Sequence, residues 1–145
     1  MLSRILEWFD AATPEQEPQL SADEAATALM VEVMMSDYQP DDAEESLILQ
    51  RLTERTGEPL EQARALLASA RLHHDESHDL FEFTRVINEH WGEQEKYELM
   101  VDLWRTALAD NVIDKHEDHI IRRINGLLHL HHSHFIRAKH QAQGG

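Results

Sequence analysis

Apolar residues recur every three or four positions along nearly all of this 145-residue chain, and no run of Val, Ile, Thr and aromatics alternates with a period of two. That contrast constrains the fold most, because a 3.6-residue period gives a helix one buried face and a two-residue period gives a strand one. The spacing predicts a helix over residues 2–12 with Leu2, Ile5, Leu6 and Phe9 on one stripe, then an acidic, Pro-bounded linker at 13–19. Ser21 and Glu24 stand as a capping box that opens a helix through Ala25, Ala28, Leu29, Val31, Val33 and Met35. Pro40 breaks it, and Asp41 or Asp42 caps a helix through Leu47, Ile48 and Leu52 that stops at Gly57. Pro59 starts another, with Leu60, Ala63, Leu66, Leu67 and Ala70 on one face. Ser77 is expected to cap a helix over 80–90 that turns Leu80, Phe83, Ile87 and Trp91 inward. Gly92 separates it from a helix over 93–109 carrying Tyr97, Met100, Val101, Trp104 and Leu108. From Asp114 or Lys115 a helix passes through Ile120, Ile121 and Ile124 toward Leu128, and Ser133 is expected to cap a last one over 134–141. The expected fold is all-α: a single compact bundle of about seven to eight short helices.

The remaining composition removes whole classes of function. There is no cysteine, so no disulfide framework, thiolate nucleophile or zinc finger is available, and the cytoplasm is the expected compartment. No apolar run approaches the length of a bilayer span. The N-terminus is too short in its apolar stretch and too acidic for a signal peptide. A formal net charge of −15 argues against binding a phosphate backbone, so nucleic acid is not an expected partner. The charge is uneven: all 28 acidic residues precede residue 119, whereas 119–145 holds Arg122, Arg123, Arg137, Lys139 and six histidines.

An internal match appears at an offset of 73 residues. Asp37 aligns with Asp110, Asp41 with Asp114, Glu44 with Glu117, Glu45 with Asp118, and Leu47-Ile48 with Ile120-Ile121. The shared unit is helix, Asp-x3-Asp-x2-Glu, helix, which predicts a pseudo-two-fold repeat. Two readings of the acids stand side by side. As caps, they bind free amides and favour the helix dipole. As ligands, Asp37, Asp41, Glu44, Asp110, Asp114 and Glu117 would gather oxygens for a hard divalent cation, since clustered carboxylates repel unless a proton or cation joins them. Neither turn has the Asp-x-Asp-x-Asp-Gly order of an EF-hand.

Two helical halves, each with an aspartate turn followed seven residues later by a glutamate, resemble the tellurite-resistance TerB family, whose turn often reads Asp-Gly-x5-Glu. The segments Ser36–Glu45 and Ala109–Asp118 carry the resemblance, which covers roughly residues 23–130. It implies an all-α fold of about seven helices with pseudo-two-fold symmetry, an acidic cluster proposed to bind divalent metal, and an association with tellurite and stress resistance. TerB-like domains also occur beside co-chaperone modules and in membrane-associated assemblies. This chain departs from the pattern at Tyr38 and Asn111, where the family usually has Gly. Asn tolerates the left-handed conformation and Tyr does so less readily, which bears on ligation at the first turn.

Eleven histidines offer further candidates. On one helix His74 and His78 would be i,i+4 neighbours and a usable imidazole pair; the competing reading is a polar connector broken at Ser77. His116 and His119 flank Glu117 and would shift an acidic site toward Zn²⁺ or Ni²⁺, or else cover a solvated face. His129, His131, His132, His134 and His140 form a tract able to hold transition metals or to oppose the acidic body when protonated. No phosphate loop, nucleophile elbow, His-Glu-x2-His or Glu-x2-His occurs. The expected organisation is an amphipathic helix and linker over 1–20, a TerB-like domain over 21–132, and a His-containing helix and tail over 133–145. The expected function is a non-enzymatic, cytoplasmic module of the tellurite or general stress response that binds Ca²⁺, Mn²⁺, Mg²⁺ or Zn²⁺ through its acidic turns. The alternatives are an adaptor for an unidentified protein partner, with the acids as caps, and a metal-dependent hydrolase. Membrane contact is expected only through a partner or through Trp8 and Phe9 of the first helix.

Overall fold

A computed structural model describes residues 1–35, 42–108 and 115–144. Eight α-helices run in order among the described residues: α1 (Leu2–Asp10), α2 (Ala22–Met34), α3 (Asp42–Thr56), α4 (Leu60–His73), α5 (Glu76–His90), α6 (Glu93–Leu108), α7 (Lys115–Leu127) and α8 (His132–Gly144), with a 3-10 turn at Pro14–Gln16. The all-α expectation holds. No helix among the described residues is long and apolar enough to cross a membrane.

The central element is α2. It packs against α1, α5, α6 and α7, and Ala22 and every residue from Glu24 to Val33 is buried. A helix apolar on all sides has no solvent face to offer, so it becomes the axis of the bundle. Its small residues Ala25, Ala26 and Ala28 are fully enclosed, which lets neighbouring helices approach closely. One apolar cluster continues from Leu2 and Ile5 through Leu29, Phe83 and Trp104 to Phe135 and Ala138. Thus α1 lies on α4, and α8 lies on α6, around the same core.

Local chemistry sets the helix ends. Ser21 Oγ accepts from Glu24 N–H at 3.1 Å while the Glu24 carboxylate accepts from Ser21 N–H at 2.8 Å, closing the expected capping box. Gly57 stops α3 in the left-handed region at φ 71°, its N–H reaching Thr53 O at 2.8 Å. At the end of α7, Leu130 N–H bonds Asn125 O (3.1 Å) and His129 N–H bonds Gly126 O (3.0 Å), a Schellman pair. Here His129, not Gly, occupies the left-handed position at φ 60°.

Four expectations need correction. The cap of α5 is Asp75, whose side chain accepts from His78 N–H at 3.3 Å; Ser77 is already one residue inside the helix. The cap of α8 is the ring of His131, whose Nδ1 accepts from Ser133 N–H at 3.0 Å, so the helix starts at His132 and Ser133 does not cap it. Leu60, expected inward, is 46% exposed, because Pro59 caps α4 and leaves its first residue at the rim. Trp8, considered for a membrane interface, is 6% exposed and packs on Phe83 with ring centroids 4.4 Å apart.

Candidate functional site

The acidic turns are the first place to look. The segments that carry them follow α2 and α6 in the chain, and those two helices pack against each other. Asp37, Asp41, Asp110 and Asp114 lie outside the described residues, as do the side chains of Glu44 and His116. Glu117 is half-buried in the first turn of α7. Asp118 faces Arg122 at 3.7 Å along the same helix, and His119 is exposed. Among the described residues no group of three or more His, Asp or Glu side chains is disposed to hold a metal ion.

The structure does not bring His74 and His78 together as a helical pair. His74 ends α4 in an extended conformation (φ −66°, ψ 138°), and Asp75 begins a new helix. The imidazole of His78 instead stacks on Trp8 and pairs with Glu17 at 2.9 Å. That hydrogen bond raises the His78 pKa above its ordinary value, against the opposing effect of burial. In the C-terminal tract the histidines also point to separate partners. His134 Nε2 meets Glu93 at 2.6 Å, His132 stacks on Phe135, and His131 caps α8.

The most perturbed ionisable groups are two residues that sequence reasoning passed over. Glu32 on α2 is 4% exposed and Asp79 on α5 is 1% exposed. Burial, then the hydrogen bond to Asp79 and the nearby charges of Asp79, Glu76 and Asp75, push Glu32 up to about 10. Burial also raises Asp79, but the hydrogen bond from Glu32 and the amide of Asp75, which donates to Asp79 Oδ2 at 3.0 Å, work against that rise. Glu32 therefore carries a proton at neutral pH, and its Oε1 has no partner among the described residues. A signal for it did exist: Glu32 is the one charged residue between Ala25 and Met35 in a run of apolar and small residues.

Two more carboxylates on this side are relieved differently. Glu24 is buried, yet its pKa falls, because the Ser21 amide and the Arg4 guanidinium (Nε to Oε1, 3.1 Å) outweigh desolvation. Asp10 accepts a hydrogen bond from the Ser69 hydroxyl.

These sites provide acid–base groups and charge. Neither the curated proteins nor the solved structures compared with this chain gave a match. A family model described as tellurite resistance protein TerB matches residues 23–140, from the second residue of α2 into α8. With most of its length covered and an all-α bundle to match, the chain belongs to the TerB family of tellurite resistance proteins.

Proposed function

We propose that this chain is a non-enzymatic TerB-family module that binds a divalent cation between its two acidic turns, in service of a tellurite or general stress response. The observation that carries the reading is the doubled Asp-x3-Asp-x2-Glu spacing, in segments that follow α2 and α6 in the chain, two helices that pack against each other. The donor set Asp37, Asp41, Glu44, Asp110, Asp114 and Glu117 is all oxygen, which suits Ca²⁺, Mg²⁺ or Mn²⁺ better than a soft metal. A bound cation would supply charge neutralisation, and its affinity would rise with pH until the carboxylates are ionised.

Calorimetric titration of the full chain with Ca²⁺, Mn²⁺, Mg²⁺ and Zn²⁺, against Asp110→Asn and Glu117→Gln, tests the reading. Saturable heat in the wild type, lost in both variants while their unfolding transitions remain cooperative, is the expected result. No heat and no thermal shift with any of these ions would leave the acids as helix caps.

A further inference from the structure

On the flank of the bundle between α3 and α6 lies a cleft of about 350 Å³ with Met30 of α2 among its lining residues. Arg51, Glu54 and Arg55 face it from successive turns of α3, and Asp102, Arg105 and Thr106 face it from successive turns of α6. Three guanidiniums at one place are unexpected in a chain with only 13 Lys and Arg and a net charge of −15.

The local carboxylates do not close these cations off. Arg55 Nη1 stands 3.8 Å from Asp102 Oδ2, and Arg105 Nη1 stands 3.9 Å from Asp102 Oδ1; both lie beyond hydrogen-bond reach. Glu54 accepts instead from Gln50 at 3.0 Å. Arg55 is held by its Nε, which donates to Thr27 Oγ1 at 3.2 Å, and this leaves the fork free to turn toward the cleft. Arg51 is the clearest case: its Nε is buried and has no partner among the described residues. Because Nε is enclosed, the terminal nitrogens of Arg51, which lines the cleft, are the ones an anion there would meet.

We propose that this cleft is a binding site for a small, doubly charged tetrahedral oxyanion, of the class of inorganic phosphate or a phosphomonoester, gripped by Arg51 and Arg105 with Arg55 in support. Guanidinium forks match such oxygens in geometry as well as charge, and several of them can share one anion. Asp102 is the built-in competitor for Arg55 and Arg105, so the anion displaces a carboxylate that holds neither of them tightly.

Titration of the full chain with inorganic phosphate in chelator-treated buffer, at fixed ionic strength and followed by calorimetry and by amide NMR shifts, tests the site independently of any metal. The expected result is saturable one-to-one binding with shifts centred on α3 and α6. Arg51→Gln and Arg105→Gln should each weaken it about tenfold, the loss of one charge-assisted contact. Asp102→Asn should tighten it, an opposite sign that general damage to the fold would not give. Glucose 6-phosphate in place of phosphate reads the size of ligand admitted: competition for the same shifts assigns the site to phosphomonoesters, and its absence assigns it to the free anion. No saturable phosphate binding, or binding unchanged in Arg51→Gln with the variant folded by circular dichroism, would overturn the proposal.

Discussion

On the face where α1 meets the start of α5, the chain buries acids; on the face where α8 meets α6, it presents cations. The first face relieves its carboxyls with different partners: a proton on Glu32 beside Asp79, an arginine and an amide for Glu24, and an imidazole for Glu17. The second face lays its cations over rings. Arg122 sits 4.7 Å from the centroid of Phe135, Arg137 4.6 Å from Tyr97, and Lys139 Nζ 5.1 Å from Trp104. The acids need specific hydrogen-bond partners because a buried carboxylate is strongly desolvated, whereas a guanidinium or ammonium on an aromatic face keeps part of its hydration. Both outer helices have an apolar seam beneath this polar chemistry: Leu2, Ile5, Trp8 and Phe9 for α1, and Phe135 and Ala138 for α8.

The comparison breaks most readily at the seams. Phe135→Ala, removing a ring that is 1% exposed against Trp104, should lower stability in urea unfolding by about 3–5 kcal/mol and loosen α8. A loss below about 1 kcal/mol would mean that the cations over the rings, rather than the seam, hold this face. Next in size is Glu32→Gln. A folded pKa of about 10 lies above the unfolded value of 4.5, so the contribution of Glu32 to stability is complete below about pH 4.5 and is lost as pH rises toward 10. The Gln variant should match wild type in acid and exceed it by roughly 1–3 kcal/mol near pH 8. Parallel stability curves across that range would rule out the proton on Glu32.

Smaller effects separate the partners on each face. Arg4→Met removes the guanidinium from Glu24 and should lower stability by about 1 kcal/mol, measured by thermal unfolding at neutral pH. Lys139→Gln removes the cation over Trp104 and should lower it by about 0.5–1 kcal/mol, within reach of careful chemical denaturation. The least effect is at His78, whose side chain is 36% exposed. Because its pKa is raised by Glu17, its contribution is complete below about 6.5, the ordinary value, and fades as pH rises through the folded value. An imidazole NMR titration should show that midpoint fall in Glu17→Gln; an unmoved midpoint would exclude Glu17 as its cause.

Most of the helical architecture was legible because its causes are local. Ser21-Ala-Asp-Glu24 carries its own hydrogen-bond partners, and Gly57 can enter the left-handed region without a Cβ penalty, so sequence places both ends. The caps of α5 and α8 were missed because Asp75 and His131 compete with nearby serines, and a difference of one or two residues in a helix start is settled by packing rather than propensity. Of the sequence-derived metal candidates, the four aspartates lie outside the described residues, while the His74–His78 pairing fails because the chain breaks helix between them. Arg51, Arg55 and Arg105 gave no sequence signal, since the α3 and α6 turns that share a cleft are about fifty residues apart.

By itself the sequence determined the helical period, most of the buried residues of each helix, the doubled acidic spacing and the resemblance that the TerB family match confirms. These depend on spacings of three to seven residues, which the chain carries however it folds. Tertiary structure alone decided which charges meet: Glu32 with Asp79 across α2 and α5, His78 with Glu17, the basic C-terminal end with aromatic rings, and three arginines with one cleft. Electrostatic interactions act through space and grow as water is excluded, so their partners are set by how helices pack and not by how residues are ordered.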